Sequence, residues 1–395
     1  MVQLRISDGE YMGRRETILE RLGQRGITGL VLFGAPNVSY FSRFAFIPTE
    51  RPMAFILTKD SSALLVPRLE VEHAEEFALV DKVVDYPEFP GDRHPMEFMK
   101  DLLVDLGLSN AKIGVDGDGY GAIYGYRGPA VSAILPDATV ENVRDDVEYM
   151  QMINSEEELT LIRESARWGN LAHTFLQEYC KVGVTETEIS MRASFEATQS
   201  MLRTLGSEYR PLGRAGAMAG FRGQIGKDSA LPHAMSSNAR LKAGDVLVTG
   251  ADATVWGYGS ELERTMIMGE PTAEQERFFN LMLDVQTLAI EAIKPGIPCS
   301  DVDKKVRQFF TEHNLWEYWR HHTGHAKSTQ VHEAPFLDHG DDRTIEVGMV
   351  FTVEPGIYVN GFAGFRHSDT VAVTEDGVEW MTYYPRDLES MIIPV

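Results

Sequence analysis

Apolar positions recur along this chain with two different periods. Leu159, Ile162, Ala166, Gly169, Ala172, Leu176 and Tyr179 fall three or four residues apart, the spacing of one face of an α-helix. Directly ahead, Ser155-Glu156-Glu157-Glu158 sets a hydroxyl three residues before a carboxylate, the capping box that opens helices. Ser7 with Glu10, Thr185 with Glu188 and Thr272 with Gln275 repeat the signature. They predict helices to about Gln24, to about Leu202 and to Lys294-Pro295-Gly296. His94 to Leu106 and Ser300 to Glu312 also read as helices. The apolar runs Gly29 to Phe33, Met53 to Leu57, Ala63 to Val66, Lys82 to Val84 and Lys112 to Val115 are too short for helices and predict strands. Gly206 to Ser229, rich in Gly, Arg and Ala, predicts a loop.

Short helices and strands alternate through the first part of the chain, which predicts a mixed α/β domain over residues 1–153. A second domain, 154–395, begins with the capped helix at Ser155. Its organising stretch is GDVLVTGADATVWGYGSELERT, Gly244 to Thr265, a β-hairpin or long bent strand with a turn at Gly257. Side chains alternate along a strand, so Gly250 shares a face with Asp252, and Glu261 shares one with Glu263. Carboxylates so arranged can bind a cation or grip a cationic substrate. A weak internal repeat relates Gly244 and Gly257-Tyr258 to Gly348 and Gly361-Phe362. It sets Gly250 opposite Glu354 and Glu263 opposite His367, so that two half-domains bring polar strand positions around one cleft.

Composition narrows the partners. The chain has 395 residues and a net charge of −22, which argues against nucleic acid and anionic membrane. Its two cysteines, Cys180 and Cys299, form no disulfide framework or Cys/His metal spacing. The N-terminus lacks an apolar signal core, and no run approaches the roughly 20 apolar residues of a membrane helix. A cytoplasmic protein acting on a small molecule is expected.

Histidines gather late in the chain: His233, then His321-His322-Thr323-Gly324-His325, His332-Glu333 and His367. Imidazoles beside carboxylates suit acid–base work near neutral pH and also divalent metals. In combination, Leu231-Pro232-His233, Gly257-Tyr258 with Glu263-Arg264-Thr265, Gly324-His325 with His332-Glu333, and Val353-Glu354-Pro355-Gly356 resemble the pita-bread hydrolases. That family includes methionine aminopeptidase, aminopeptidase P, prolidase, creatinase and ectoine hydrolase (peptidase M24). The resemblance covers Ser155 to the C-terminus, and more weakly the creatinase/prolidase N-terminal domain. It implies an α+β protein: a C-terminal pita-bread fold with an internal pseudo-twofold repeat, plus a smaller N-terminal mixed α/β domain. It also implies a homodimer.

The family's metal-dependent members hold two ions with Asp, Asp, His, Glu and Glu. By resemblance these positions fall on Gly250, Glu261, His325, Glu354 and Ser368. Gly250 and Ser368 supply no carboxylate, so no metal cofactor is expected. The alternative is one divalent ion, such as Mn, Co or Zn, at Asp252, Glu261, His325 and Glu354. Leu262-Glu263-Arg264-Thr265 is similar to the metal-free creatinase branch, and Glu261 to Met266 to its ectoine hydrolase version. The implied function is metal-independent cleavage of a C–N bond in a small cationic amidine, with ectoine opened to N-acetyl-diaminobutyrate. His233 would carry the proton, and Glu263 would grip the amidinium or attack it. Glu261, His325, His332 and Glu354 would line the site. Asp252, His367, Arg343 and Arg51 are the candidate substrate contacts, the arginines for a substrate carboxylate. Two other readings stand beside this one: an Xaa-Pro metallopeptidase with a reduced metal site, and a non-catalytic binding protein of the same fold.

Overall fold

A computed structural model describes residues 4–121, 126, 128–206, 209–212 and 216–395. The chain divides into two compact units, one of residues 6–151 and one of residues 152–395 together with the described residues 4 and 5.

The first unit runs α1 (Asp8–Gly23), β1 (Gly29–Leu32), α2 (Ala35–Ser42), β2 (Ala54–Thr58), β3 (Ser62–Pro67), α3 (Val71–Phe77), β4 (Lys82–Tyr86), α4 (Pro95–Asp105), β5 (Lys112–Val115), α5 (Val131–Ile134), β6 (Thr139–Asn142) and α6 (Arg144–Met152). Its strands form one sheet in the order β4-β3-β2-β1-β5-β6. The unbroken apolar runs of β1, β2 and β3 are strands buried on both faces, whereas β4 at the sheet edge is only partly buried. Val31, Ala54, Ile56, Ala63 and Leu65 enter one core, while Leu30, Leu32, Phe55, Leu57, Leu64 and Val66 enter the other.

The second unit begins with α7 (Glu156–Tyr179) and α8 (Glu186–Leu205), followed by β7 (Ala217–Gly220), β8 (Val246–Val255), β9 (Tyr258–Gly259) and β10 (Leu262–Met268). A second round gives α9 (Ala273–Ala292), α10 (Cys299–Glu312), β11 (Gly324–Ala326), β12 (Glu333–Leu337), β13 (Val350–Val353), β14 (Gly356–Val359), β15 (Ala363–Arg366), β16 (Ser368–Thr374), β17 (Gly377–Trp380) and β18 (Ile392–Ile393). The main sheet runs β12-β11-β13-β16-β10-β8-β7. Each round thus supplies two helices and then strands, and the rounds meet where β10 pairs antiparallel with β16. This is the expected α+β architecture with its pseudo-twofold repeat.

Two of the four capping signatures close as full boxes, Ser155 with Glu158 and Thr272 with Gln275; Ser7 and Thr185 cap their helices by accepting from the N–H of Glu10 and Glu188. The bend expected at Gly257 is a two-residue hairpin loop, with Val255 paired to Tyr258 and positive φ at both Trp256 and Gly257, which suits a hairpin. The loop expected over Gly206 to Ser229 instead contains β7. Ala-Met-Ala-Gly has weak strand propensity, and its pairing with β8 makes it a strand.

Candidate active site

Alternation along β10 separates two sets of charges. Gly250, Glu263 and Ser368 are aligned across β8, β10 and β16 on one face, and Glu261 precedes β10 in phase with Glu263. Leu262 lies opposite Asp369 on the other face, in phase with Arg264. The face carrying Glu263 collects the polar cluster.

Glu261 is oriented by its own backbone, whose N–H donates to Thr370 Oγ1 at 2.8 Å, and by Ser368 Oγ, which donates to Glu261 Oε1 at 3.2 Å. His325 sits in β11 opposite Thr352. Its Nδ1 lies 2.9 Å from the Ala326 carbonyl, a contact that fixes the tautomer and leaves Nε2 facing the cluster. Glu354 follows β13, and its Oε1 lies 3.5 Å from His325 Nε2. Ligand atoms of Glu261, His325 and Glu354 all lie within 4.8 Å of one another.

The electrostatics of these groups differ. Burial and the charges of Glu354 and Glu263 push the Glu261 carboxyl up to about 7. Burial also opposes the Glu354 carboxylate, yet His325 and the Arg366 guanidinium hold it well below the usual range. Burial works against a charged His325 ring, but Glu354 and Glu261 raise its pKa above the ordinary value.

Glu263 is engaged differently. Arg366 donates from Nε to Glu263 Oε2 and from Nη2 to Oε1 at 2.7 Å. Arg222 Nη2 also donates to Oε1. Arg366 Nη1 reaches Tyr358 Oη at 3.0 Å, and its Nε lies 3.7 Å from Glu354 Oε2. Arg366 is buried, while the Arg222 side chain is 53% exposed. Gly250 offers no side chain, and Glu263 lies over it: a Cβ there would stand 3.6 Å from Glu263 Oε1. Neither arginine was singled out from the sequence. The signal available was charge balance, since three clustered glutamates need nearby cations and Arg366 adjoins the motif that carries Ser368.

The other expected site residues divide. His332 stacks on His325 with ring centroids 4.0 Å apart, and partial burial together with the His325 charge pushes it down to about 4. His233 is exposed in the loop after residues 226–230, a loop whose Pro232 carbonyl accepts from Arg366 Nη1 at 3.5 Å. Asp252 is exposed on β8 and lies outside the set of converging ligand atoms. His367 corrects an expectation. It is fully buried, with Nδ1 accepting from the Thr265 N–H at 3.1 Å and Nε2 at 3.1 Å from the Arg386 carbonyl, so neither ring nitrogen is left for a substrate. Arg343 is paired with Asp341 at 2.9 Å. Arg51 belongs to the first unit, paired with Glu50 and Glu88.

A carboxylate–imidazole–carboxylate set of this kind suits a single divalent transition ion. The same residues do not fit a pair of ions. Gly250 has no donor, Ser368 offers a hydroxyl spent on Glu261, and both Glu263 oxygens are held by guanidinium groups.

Comparison with known proteins gives the family. The model described as metallopeptidase family M24 matches residues 160–375, and that of the creatinase/prolidase N-terminal domain matches residues 14–153. An uncharacterised peptidase of Staphylococcus aureus is 30% identical over 358 residues, 89% of this chain and 93% of its own. An Xaa-Pro dipeptidase from Bacillus anthracis superposes with a TM-score of 0.80 at 26% identity, covering 97% of this chain and 99% of that one. Dipeptidase PepE from Mycobacterium ulcerans gives 0.82 at 26% identity, covering 99% and 100%. The chain belongs to metallopeptidase family M24. Membership of a metallopeptidase family, with three ligand atoms already converged, overturns the expectation of a protein without a metal cofactor. The two carboxylates missing at Gly250 and Ser368 do not abolish metal binding, because the remaining donors suffice for one ion.

Proposed function

We propose that this M24 family member is a divalent-metal-dependent hydrolase of short peptides of the Xaa-Pro dipeptide class, with one ion held by Glu261, His325 and Glu354. The observation that carries the reading is the approach of their ligand atoms to within 4.8 Å. The similarity to an Xaa-Pro dipeptidase and a dipeptidase over nearly the whole chain supports the substrate class.

When bound, the ion supplies Lewis acidity toward a carbonyl oxygen and a water. The chain's own groups do the rest. Glu354 stays ionised, and the Ala326 carbonyl holds the His325 ring so that Nε2 faces the ligand set. His332, neutral at neutral pH, and the exposed His233 are the imidazoles for moving a proton to the departing amine nitrogen. The half-exposed Arg222 guanidinium is the cation for the dipeptide's carboxylate. An amidine substrate is less well served, because it requires Glu263 as its grip and both oxygens of that carboxylate are already engaged.

The test strips the purified protein with a chelator, restores Mn2+, Co2+ or Zn2+, and screens Xaa-Pro dipeptides, ectoine and creatine. Ion-dependent dipeptide hydrolysis is expected. Ectoine turnover that persists in chelator would overturn the reading.

A further inference from the structure

We infer that Arg366, clamped by Glu263 and seconded by Arg222, is a built-in replacement for a second metal ion, so that each chain binds one divalent ion and not two. The inference rests on the metal site proposed above and concerns the space beside it.

Three carboxylates, Glu261, Glu263 and Glu354, face one another on this side of the sheet. A single dication among Glu261, His325 and Glu354 leaves Glu263 to be neutralised. Arg366 does so with two parallel N–H donors, from Nε to Oε2 and from Nη2 to Oε1, a fork geometry that also fixes the carboxylate in place. The same guanidinium reaches toward Glu354, Nε to Oε2 at 3.7 Å, so one positive charge serves two carboxylates. Burial of Arg366 excludes water from that charge. Its remaining donors are also used, on Tyr358 Oη, the Pro232 carbonyl and Gln224 Oε1, which makes the replacement a fixed part of the fold. Gly250 completes the arrangement: it adds no carboxylate beside Glu263, whose Oε1 lies 3.6 Å from where a Cβ would stand. A second dication would have to displace a buried, doubly bonded guanidinium and leave it without its partner.

The experiment reads metal content directly. The full chain is stripped, dialysed against Mn2+ at increasing concentration, desalted and analysed for bound manganese. One ion per chain is expected up to millimolar Mn2+, with the ion lost in Glu354→Gln. Arg366→Met frees Glu263 and should raise the plateau toward two. Since that variant risks misfolding, the surface variant Arg222→Gln is measured beside it and should weaken exclusion of the second ion at least severalfold. Two tightly held ions in the unaltered protein overturn the inference and leave the peptidase reading standing. No bound ion overturns both. One ion without dipeptide turnover keeps the inference and removes the substrate assignment.

Discussion

On the helix-covered face of the β10–β16 pair, Arg264 meets Asp369; on the opposite face, one position along β10, Glu263 stands beside Arg366 of β15. The chemistry is the same and the degree of completion is not. Asp369 accepts from Arg264 through both oxygens, at 2.8 and 3.1 Å, and also from Thr382 and Gln286. Arg264 spends its other donors on the carbonyls of Glu263, Ser368, Tyr384 and Pro385. Both side chains are wholly shielded from solvent. Across the sheet, Glu261 is left without a guanidinium partner of its own among the described residues, and burial together with the charges of Glu354 and Glu263 holds its proton up to about 7. A closed network stabilises a fold, whereas an excess of one sign of charge calls for a ligand.

Deleting one partner on each face should separate the two roles. Asp369→Asn leaves Arg264 buried beside a neutral amide, and the expected loss is about 3–5 kcal/mol of stability, read as a fall in the denaturation midpoint. Glu354→Gln removes a ligand: at least ~100-fold weaker Mn2+ binding is expected, since even partners of ligands cost 10–100-fold, with turnover falling in parallel and the metal-free stability falling by less than in Asp369→Asn, because Arg366 keeps Glu263 as its partner. If Glu354→Gln unfolds the protein as readily as Asp369→Asn, the distinction fails.

The helix-covered face also makes a pH prediction. His173 donates or accepts through Nε2 at 2.7 Å from Thr249 Oγ1, and burial pushes it down to about 3; His367 is lowered for the same reason. Their folded pKa values lie below the unfolded value, so the unfolded chain takes up protons first as pH falls. Stability attributable to them is intact above about 6.5 and declines toward pH 3, by about 1.4 kcal/mol per pH unit for each histidine. His173→Gln should flatten that slope in acid denaturation. The smallest effect is expected at the rim of the polar cluster. Arg222→Ala should raise KM for an Xaa-Pro dipeptide by about tenfold, the worth of one charge-assisted hydrogen bond, with kcat little changed.

Periodicity revealed most of the fold. Capping boxes at Ser155 and Thr272 and the unbroken apolar strands of the first unit announce elements through local chemistry. β7 was not legible, because Ala217 to Gly220 owes its conformation to a partner strand. The site was legible as residue types. Glu261, His325 and Glu354 stood out, and the absence of carboxylates at Gly250 and Ser368 was apparent from alignment with the family's motifs. What could not be read was which side chains meet: His367 turns to the backbone of the buried face, and Arg366, two residues from Ser368, crosses to Glu263. Those pairings depend on strand register and burial, which no local pattern encodes.

Metal counting during reconstitution tests the central claim most directly. Stripped protein titrated with Mn2+, with bound metal and Xaa-Pro dipeptide hydrolysis followed in the same samples, should show activity rising in step with a single ion and complete at one per chain. Hydrolysis that appears only as a second ion binds, or full turnover with no metal bound, would contradict it.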